Sequence, residues 1–286
     1  MITFSHLGRH GRLGNQLFQY AALRSLSLER GYECKIPDPK QVNWHGQQCL
    51  LSEFNIECDY LSEDDMHRIE FIYFEQNISK FDRNFFRLGD GVNLHGYFQS
   101  TMYFDKFKSQ VIKELTPKEE YTLEAKEFIE SQRAHPNQQI VSVHIRMGDL
   151  IDGTCAGYDN LYGKDNLIDT SSVYGQYFSQ ALHLFGDIDC KFLVFCGGSR
   201  TNDMEDSNFM NCFDDRFYLS SSESPLQDFS RMMMCDHNIC GHLTTFGWWA
   251  AYLNCNDNKI VAMPKNYFYN DRISREGFFA DNWVTL

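Results

Sequence analysis

The chain has no apolar run long enough to cross a bilayer: the longest, 248–253 (WWAAYL), is far short of the roughly 20 residues that a spanning helix needs. Its first residues, MITFSHLGRHGRLGNQ, lack the basic segment and long apolar stretch of a secretory leader, so a cytoplasmic location is the expectation. Basic residues are in deficit. With 39 acidic against 26 basic residues and a net charge of -13, the far field repels phosphates, which argues against general affinity for nucleic acid or anionic membranes. Membrane contact is expected to be peripheral at most, and a phosphate-bearing ligand has to be held by a local site. The ten cysteines include no CxxC pair, which argues against a zinc ribbon, and their spacing does not suggest a small disulfide scaffold. Most are expected to be reduced and buried as small hydrophobes. There is no internal repeat and no low-complexity tract, and the single sequon at Asn77 is what chance supplies in 286 residues.

What remains is a globular chain, 43% hydrophobic and 23% charged, long enough for one large domain or two smaller ones. Residues 2–7 (ITFSHL) read as a strand, 8–14 as a glycine-containing turn, and 15–30 as a helix ended by Gly31. Leu17, Tyr20, Ala21 and Leu28 fall on one helical stripe, with Arg24 at its edge either snorkelling from the core or pointing into a cleft. The stretch 40–115 is rich in aromatics and acids without clean periodicity and reads as short helices and loops. An amphipathic helix is predicted over 117–133, carrying Leu123, Phe128 and Ile129 on its apolar side. His135-Pro136-Asn137 then marks a domain boundary, giving units 1–137 and 138–286.

Beyond that boundary, 140–145 (IVSVHI) and 191–196 (KFLVFC) read as buried parallel strands. Helical patterns over 172–185, 225–235 and 245–253 alternate with strand candidates at 216–219 and 259–263, which implies a doubly wound α/β domain. Such sheets take ligands in the loops at the C-terminal strand ends.

Three segments could carry chemistry. At the end of the IVSVHI strand, alternation sends His144 and Arg146 to one face, with Asp149 just past a turn at Gly148. A guanidinium there suits a phosphate, because it is always charged and grips two oxygens at once; the alternative is an Arg-Asp salt bridge beside a core histidine. The second segment, Arg9 to Gln16, has glycines at 8, 11 and 14 that let backbone N–H groups approach a ligand at a helix N-terminus, although it fits neither GxGxxG nor the P-loop. The third is Thr244-Thr245-Phe246-Gly247-Trp248-Trp249, where two threonines precede a helical run as N-caps and candidate diphosphate contacts, and the tryptophans read as packing.

Together, GRLGNQLFQYAAL at 11–23, HGYFQSTMYF at 95–104, HIRMGD at 144–149, and MCDHNI with TTFGWWAAYL near the C-terminus resemble the α-1,2-fucosyltransferases, in order and in spacing, through most of the chain. The resemblance implies the GT-B arrangement, an α/β fold of two Rossmann-like domains facing a central cleft, with an acceptor-side first domain and a GDP-fucose-binding second one. It implies an inverting galactoside α-1,2-fucosyltransferase that uses GDP-fucose as donor, a galactose-containing oligosaccharide as acceptor, and neither metal nor other cofactor. Arg146 would contact the β-phosphate, with His144 and Asp149 shaping that pocket as the catalytic set. Arg12, Asn15 and Gln16 would reach the donor from the first domain, and Thr244, Thr245 and Phe246 would line it in the second. Candidates for the base are Asp149, Asp152 and His10. The family often has a second arginine where Met147 stands, and Phe195-Cys196-Gly197-Gly198 and Leu243-Thr244-Thr245 also depart from its pattern. Other HxRxxD enzymes forming α-1,6 or protein-linked products, a catalytically silent sugar-nucleotide or glycan-binding module, and a nucleotide-binding α/β protein without sugar specificity are the competing readings.

Overall fold

A computed structural model describes residues 1–44, 46–78, 80–146, 173–197, 214–220, 222, 224–265 and 276–286. The chain divides into two compact units, Met1–Glu119 with Arg272–Asp281, and Glu120–Asp271 with Asn282–Leu286.

The first unit opens with strand β1 (Ile2–Thr3), a turn, and helix α1 (Leu13–Arg30). The strand expected over 2–7 is therefore cut short, because residues 4–9 turn back on themselves through Leu7 N–H to Phe4 and Arg9 N–H to His6. After α1 come β2 (Cys34–Ile36), the short antiparallel pair β3 (Asn43–Trp44) and β4 (Gln47–Gln48), β5 (Asp59–Tyr60), the one-turn helix α2 (Glu63–Met66), β6 (Phe71–Phe74) and β7 (Val92–His95). Five of these strands form one sheet in the order β5-β2-β1-β7-β6, parallel at every pairing.

Helix α1 is buried nearly all round, from Leu13 to Ser27, and only Arg30 at its last turn is exposed. Arg24 turns out to be a packing residue. Its Nε donates to Glu114 of helix α3 (Lys108–Leu115) at 2.8 Å, and its Nη2 to Glu57 at 3.2 Å. Glu114 is fully buried and also accepts from the Tyr20 hydroxyl. Residues 276–281 pack on this unit, with Ser100 Oγ donating to the Glu276 carbonyl at 2.6 Å and Phe18 lying 6.3 Å from Phe278.

The second unit starts with helix α4 (Glu119–Gln132). Expectation placed the boundary after this helix, but its side chains pair within the second unit. Arg231 binds Glu124 and lies 3.7 Å over the Phe128 ring, and Lys191 donates to Gln132 at 3.1 Å. Ala125 and Ile129 are its buried residues, while Leu123, expected on the apolar side, is 52% exposed. Then follow β8 (Gln139–Arg146), α5 (Val173–His183), β9 (Cys190–Gly197), β10 (Phe217–Leu219), α6 (Pro225–Met234), β11 (His237–Cys240), α7 (Thr245–Leu253), β12 (Val261–Met263) and β13 (Val284–Thr285). The sheet order is β10-β9-β8-β11-β12-β13, again parallel throughout.

Strand β8 is buried along its length except at its ends, as a central parallel strand should be. Val141, Val143 and Ile145 pack with Tyr177, Phe178, Ala181 and Phe185 of the α5 segment. The opposite face is polar. Ser142 Oγ accepts from Asn238 at 2.7 Å, and Asn254, which caps the end of α7, donates to Asn238 at 2.9 Å and to the Cys235 carbonyl at 2.7 Å. Buried amides of this kind are worth keeping only when satisfied, and here they fix α6, β11 and α7 to one another.

Cysteine usage differs from expectation at one place: Cys34 and Cys58 form a disulfide. Cys49, Cys190, Cys235 and Cys240 are free and buried, Cys196 is half-buried and Cys255 exposed; Cys155 and Cys212 lie outside the described residues. Among the described residues, no helix is long and apolar enough to cross a membrane.

Candidate active site

In the second unit, the C-terminal ends of β8 and β9 lie side by side, with Arg146 in register with Gly197 and His144 with Phe195. Alternation puts His144 and Arg146 on the same face of β8, and their environments differ sharply. His144 is 3% exposed, whereas Arg146 at the strand end is half-buried.

The Arg146 guanidinium donates from Nη1 to the carbonyl of Leu243, the residue before the N-cap of α7. Leu243 has φ 54°, a left-handed conformation that costs a branched residue about 1 kcal/mol or more. This backbone strain thus sits where the chain enters α7 and meets the guanidinium. Thr244 caps the helix, its hydroxyl accepting from Gly247 N–H at 3.4 Å. The N-terminus of α7 presents the positive end of the helix dipole here. Thr245 and Phe246 are half-buried there. A fixed guanidinium and a helix N-terminus tied together by one carbonyl make a place for an anion.

His144, expected in the catalytic set, is almost wholly buried. Its Nδ1 lies 3.2 Å from the Thr244 hydroxyl and its ring 5.4 Å from Phe246. Burial, reinforced by the charge of Arg146, takes its pKa down to about 3, so it is neutral around pH 7. Thr244 is likewise 4% exposed and already engaged by His144 and Gly247, so its hydroxyl serves the helix cap. Trp248 and Trp249 are fully buried, as packing residues. Asp149, Asp152 and Met147 lie outside the described residues.

A residue not singled out from the sequence also borders these strand ends. Asp228, in the first turn of α6, has its pKa raised to about 6 by burial, against the opposing effects of a Ser222 hydrogen bond and the Arg231 charge. Its charge in turn helps burial to raise the Cys196 thiol, at the end of β9, to about 12. Asp228 Oδ1 and the hydroxyl of Ser220, just beyond β10, are buried without a hydrogen-bond partner among the described residues. Buried polar atoms left unmatched cost about 1–3 kcal/mol each, and a polar ligand would satisfy them. The sequence signal was faint: one acid three residues into a proline-started helix.

In the first unit the glycine-containing turn precedes α1. Gly11 has φ 98°, and a Cβ there would lie 2.5 Å from Asn15 Nδ2, so no other residue fits. Arg12 is the exposed N-cap residue, without a side-chain cap, and Asn15 Oδ1 accepts from Gln99 at 2.6 Å. Gln16, expected at the donor, is buried. It donates to the Gly11 carbonyl at 3.0 Å and accepts from Cys49 at 3.3 Å, and so shapes the turn. Among the described residues, no group of three or more His, Cys, Asp or Glu could hold a metal ion.

The model of "Glycosyl transferase family 11" matches residues 4–286. The chain belongs to glycosyl transferase family 11. Among curated relatives, this family 11 member is 28% identical to galactoside alpha-(1,2)-fucosyltransferase 2 of Rattus norvegicus, over 100% of this chain and 77% of that one. It is 24% identical to the O-antigen biosynthesis glycosyltransferase WbnK of Escherichia coli, over 96% of this chain and 98% of that one. Solved structures similar in fold include POFUT1 in complex with GDP (TM-score 0.53, 14% identity, 90% of this chain and 95% of that one) and the fucosyltransferase NodZ from Bradyrhizobium (TM-score 0.51, 12% identity, 87% and 92%). The family 11 chain is thus a glycosyltransferase of the two-unit α/β GT-B class, as the resemblance implied.

Proposed function

We propose that the protein transfers L-fucose from GDP-fucose to the 2-hydroxyl of a β-galactoside within a glycan, inverting the anomeric carbon and needing no metal. The observation that carries this reading is Arg146, held by the Leu243 carbonyl beside the N-terminus of α7. Family membership supports fucosyl transfer, and the names of the curated relatives, galactoside alpha-(1,2)-fucosyltransferases among them, support the linkage and the acceptor.

The acceptor oxygen attacks C1 of fucose as the bond from C1 to the β-phosphate oxygen breaks. The electron pair leaves with GDP, and the acceptor hydroxyl gives up its proton. Positive charge gathers on the sugar and negative charge on the departing diphosphate. Arg146 and the first N–H groups of α7 meet the negative charge in the manner of a preorganised oxyanion site. His144 holds Thr244, and through it the helix start, without exchanging protons at neutral pH. Asp228 and Ser220 offer their unmatched buried atoms to polar groups of the nucleotide sugar. Asp149, Asp152 and His10 are the candidates to take the acceptor proton. The net charge of -13 argues against nucleic acid as a partner.

The test is incubation with GDP-fucose and a panel of β-galactosides, followed by assay of GDP and of the linkage formed. The expected product is α-1,2-linked. An α-1,6 or peptide-linked product would replace this reading, and binding of GDP-fucose without acceptor-dependent GDP release would make the protein a binding module.

A further inference from the structure

The sheet of the first unit ends in a cluster of imidazoles that the donor site does not use. His95 is the last residue of β7 and Phe74 the last of β6, while His6 follows β1 and His10 lies in the glycine-containing turn. The His95 ring is 5.7 Å from that of His6, 5.4 Å from that of His10 and 5.1 Å from that of Phe74. His10 also lies 4.6 Å from Tyr97, with the two planes 30° apart. All of these residues sit at or beyond the C-terminal ends of parallel strands, where such sheets take their ligands.

The loops that carry them are held from beneath. Gln19 of α1 donates to the carbonyls of both His10, at 3.0 Å, and Gly96, at 3.1 Å, so a single buried amide ties the two loops together. The Glu75 carboxylate accepts from the N–H of Tyr97 at 2.7 Å and of Phe98 at 3.2 Å. Gly96 packs so closely on Glu75 that a Cβ would come within 2.4 Å of the Glu75 Cβ. Phe98 adopts φ 52° with its ring buried 5.6 Å from Phe85 and 5.2 Å from Tyr103. A non-glycine residue keeps that conformation only when its surroundings over-determine it, and such strain gathers at functional sites.

His10 and His95 are half-buried, and among the described residues their ring nitrogens make no hydrogen bond. Burial and the neighbouring imidazoles lower the pKa of both, with His95 and His6 acting on His10, and His6 on His95. At neutral pH each ring is therefore uncharged, one nitrogen accepting and the other donating. Phe74 is 54% exposed beside them. The cluster suits a neutral ligand with several hydroxyls and one apolar face: a pyranose.

Resting on the proposed function, we infer that this cluster is the acceptor-sugar subsite, where His10 and His95 hydrogen-bond hydroxyls of the β-galactoside and its apolar face lies on Phe74.

The test is steady-state kinetics of His10→Phe and His95→Phe, which keep an aromatic ring and lose its nitrogens, with acceptor varied at saturating GDP-fucose and donor varied at saturating acceptor. The expected result is a rise of about tenfold or more in acceptor KM in each variant, with donor KM within twofold of wild type, unchanged thermal melting, and partial recovery in His10→Gln. Acceptor KM within twofold of wild type in both variants, or donor KM rising in parallel, overturns the inference. Should wild type fucosylate no β-galactoside, the proposed function falls, and the subsite is then read by saturation-transfer NMR with methyl β-galactoside. Signal in wild type that is lost in both variants upholds it; no signal in wild type, or equal signal in all three proteins, overturns it.

Discussion

The hydroxyl of Thr244 lies 3.2 Å from Nδ1 of His144, joining the N-cap of α7 to the central strand of the second sheet. Gly247 makes this approach possible, since a Cβ there would stand 2.8 Å from the same His144 nitrogen. Both the ring and the helix are buried, so neither can yield cheaply. Gly247→Ala is expected to cost about 1–3 kcal/mol in urea-induced unfolding, and to lower donor affinity because the helix start shifts away from Arg146. A variant as stable as wild type with normal GDP binding would show that the helix is not seated by this contact.

His144 and His242 are buried neutral imidazoles, each with its pKa taken down to about 3 by burial, and in His144 also by Arg146. The unfolded chain takes up protons at both near pH 6.5 and the folded one does not, so their contribution is intact above pH 6.5 and is lost as pH falls toward 3. From pH 7.5 to 5.5 the pair should cost about 3 kcal/mol. Asp228, whose folded pKa is raised, works in the opposite direction over the same interval but gives back less than about 1 kcal/mol. Unfolding free energies by denaturant at the two pH values check the balance; equal or greater stability at pH 5.5 would contradict it.

Asp228 carries a second pH signature. Its carboxyl, raised to about 6 by burial, is comfortable when protonated, so its contribution is fully present below pH 4 and is lost as pH climbs through 6. At pH 7.5 the buried charge should cost about 3 kcal/mol. Asp228→Asn is therefore expected to be more stable than wild type at pH 7.5, with the gap closing toward pH 4, and to bind GDP-fucose more weakly. That exchange of stability for function is the mark of a strained site. Identical melting of the two proteins across this range would refute it.

How far the sequence reveals this protein depends on element length and on where polar side chains find partners. Strands β8 and β9 are eight residues each and dense in β-branched and aromatic residues, and α1 ends at a glycine, so all three are legible. The strands β2, β5, β6 and β7 have two to four residues each, too few to show a period. Strand β11 is not among the strand candidates because His237 and Asn238 are polar, although both are buried, with Asn238 satisfied by Ser142 and Asn254. The placement of Arg146 at a strand end was legible for the same reason that β8 was. Gln16 reads as a ligand contact by resemblance and Thr244 as a polar residue at a helix start; their partners, Cys49 and His144, lie 33 and 100 residues away, beyond any local pattern. Asp228 was missed because what marks it is burial, and burial is not local either.

The most direct test of the central claim is the turnover of Arg146→Ala and Arg146→Lys with GDP-fucose and a β-galactoside, alongside their melting temperatures and affinities for GDP. Loss of one preorganised donor to a developing oxyanion costs about 100-fold to 1,000-fold in rate. The expected outcome is a loss of that size or more in Arg146→Ala, with folding intact and GDP bound more weakly. Arg146→Lys should recover only part of it, since a point charge does not replace a two-pronged one. Turnover within threefold of wild type in folded Arg146→Ala would mean that the leaving diphosphate is stabilised elsewhere.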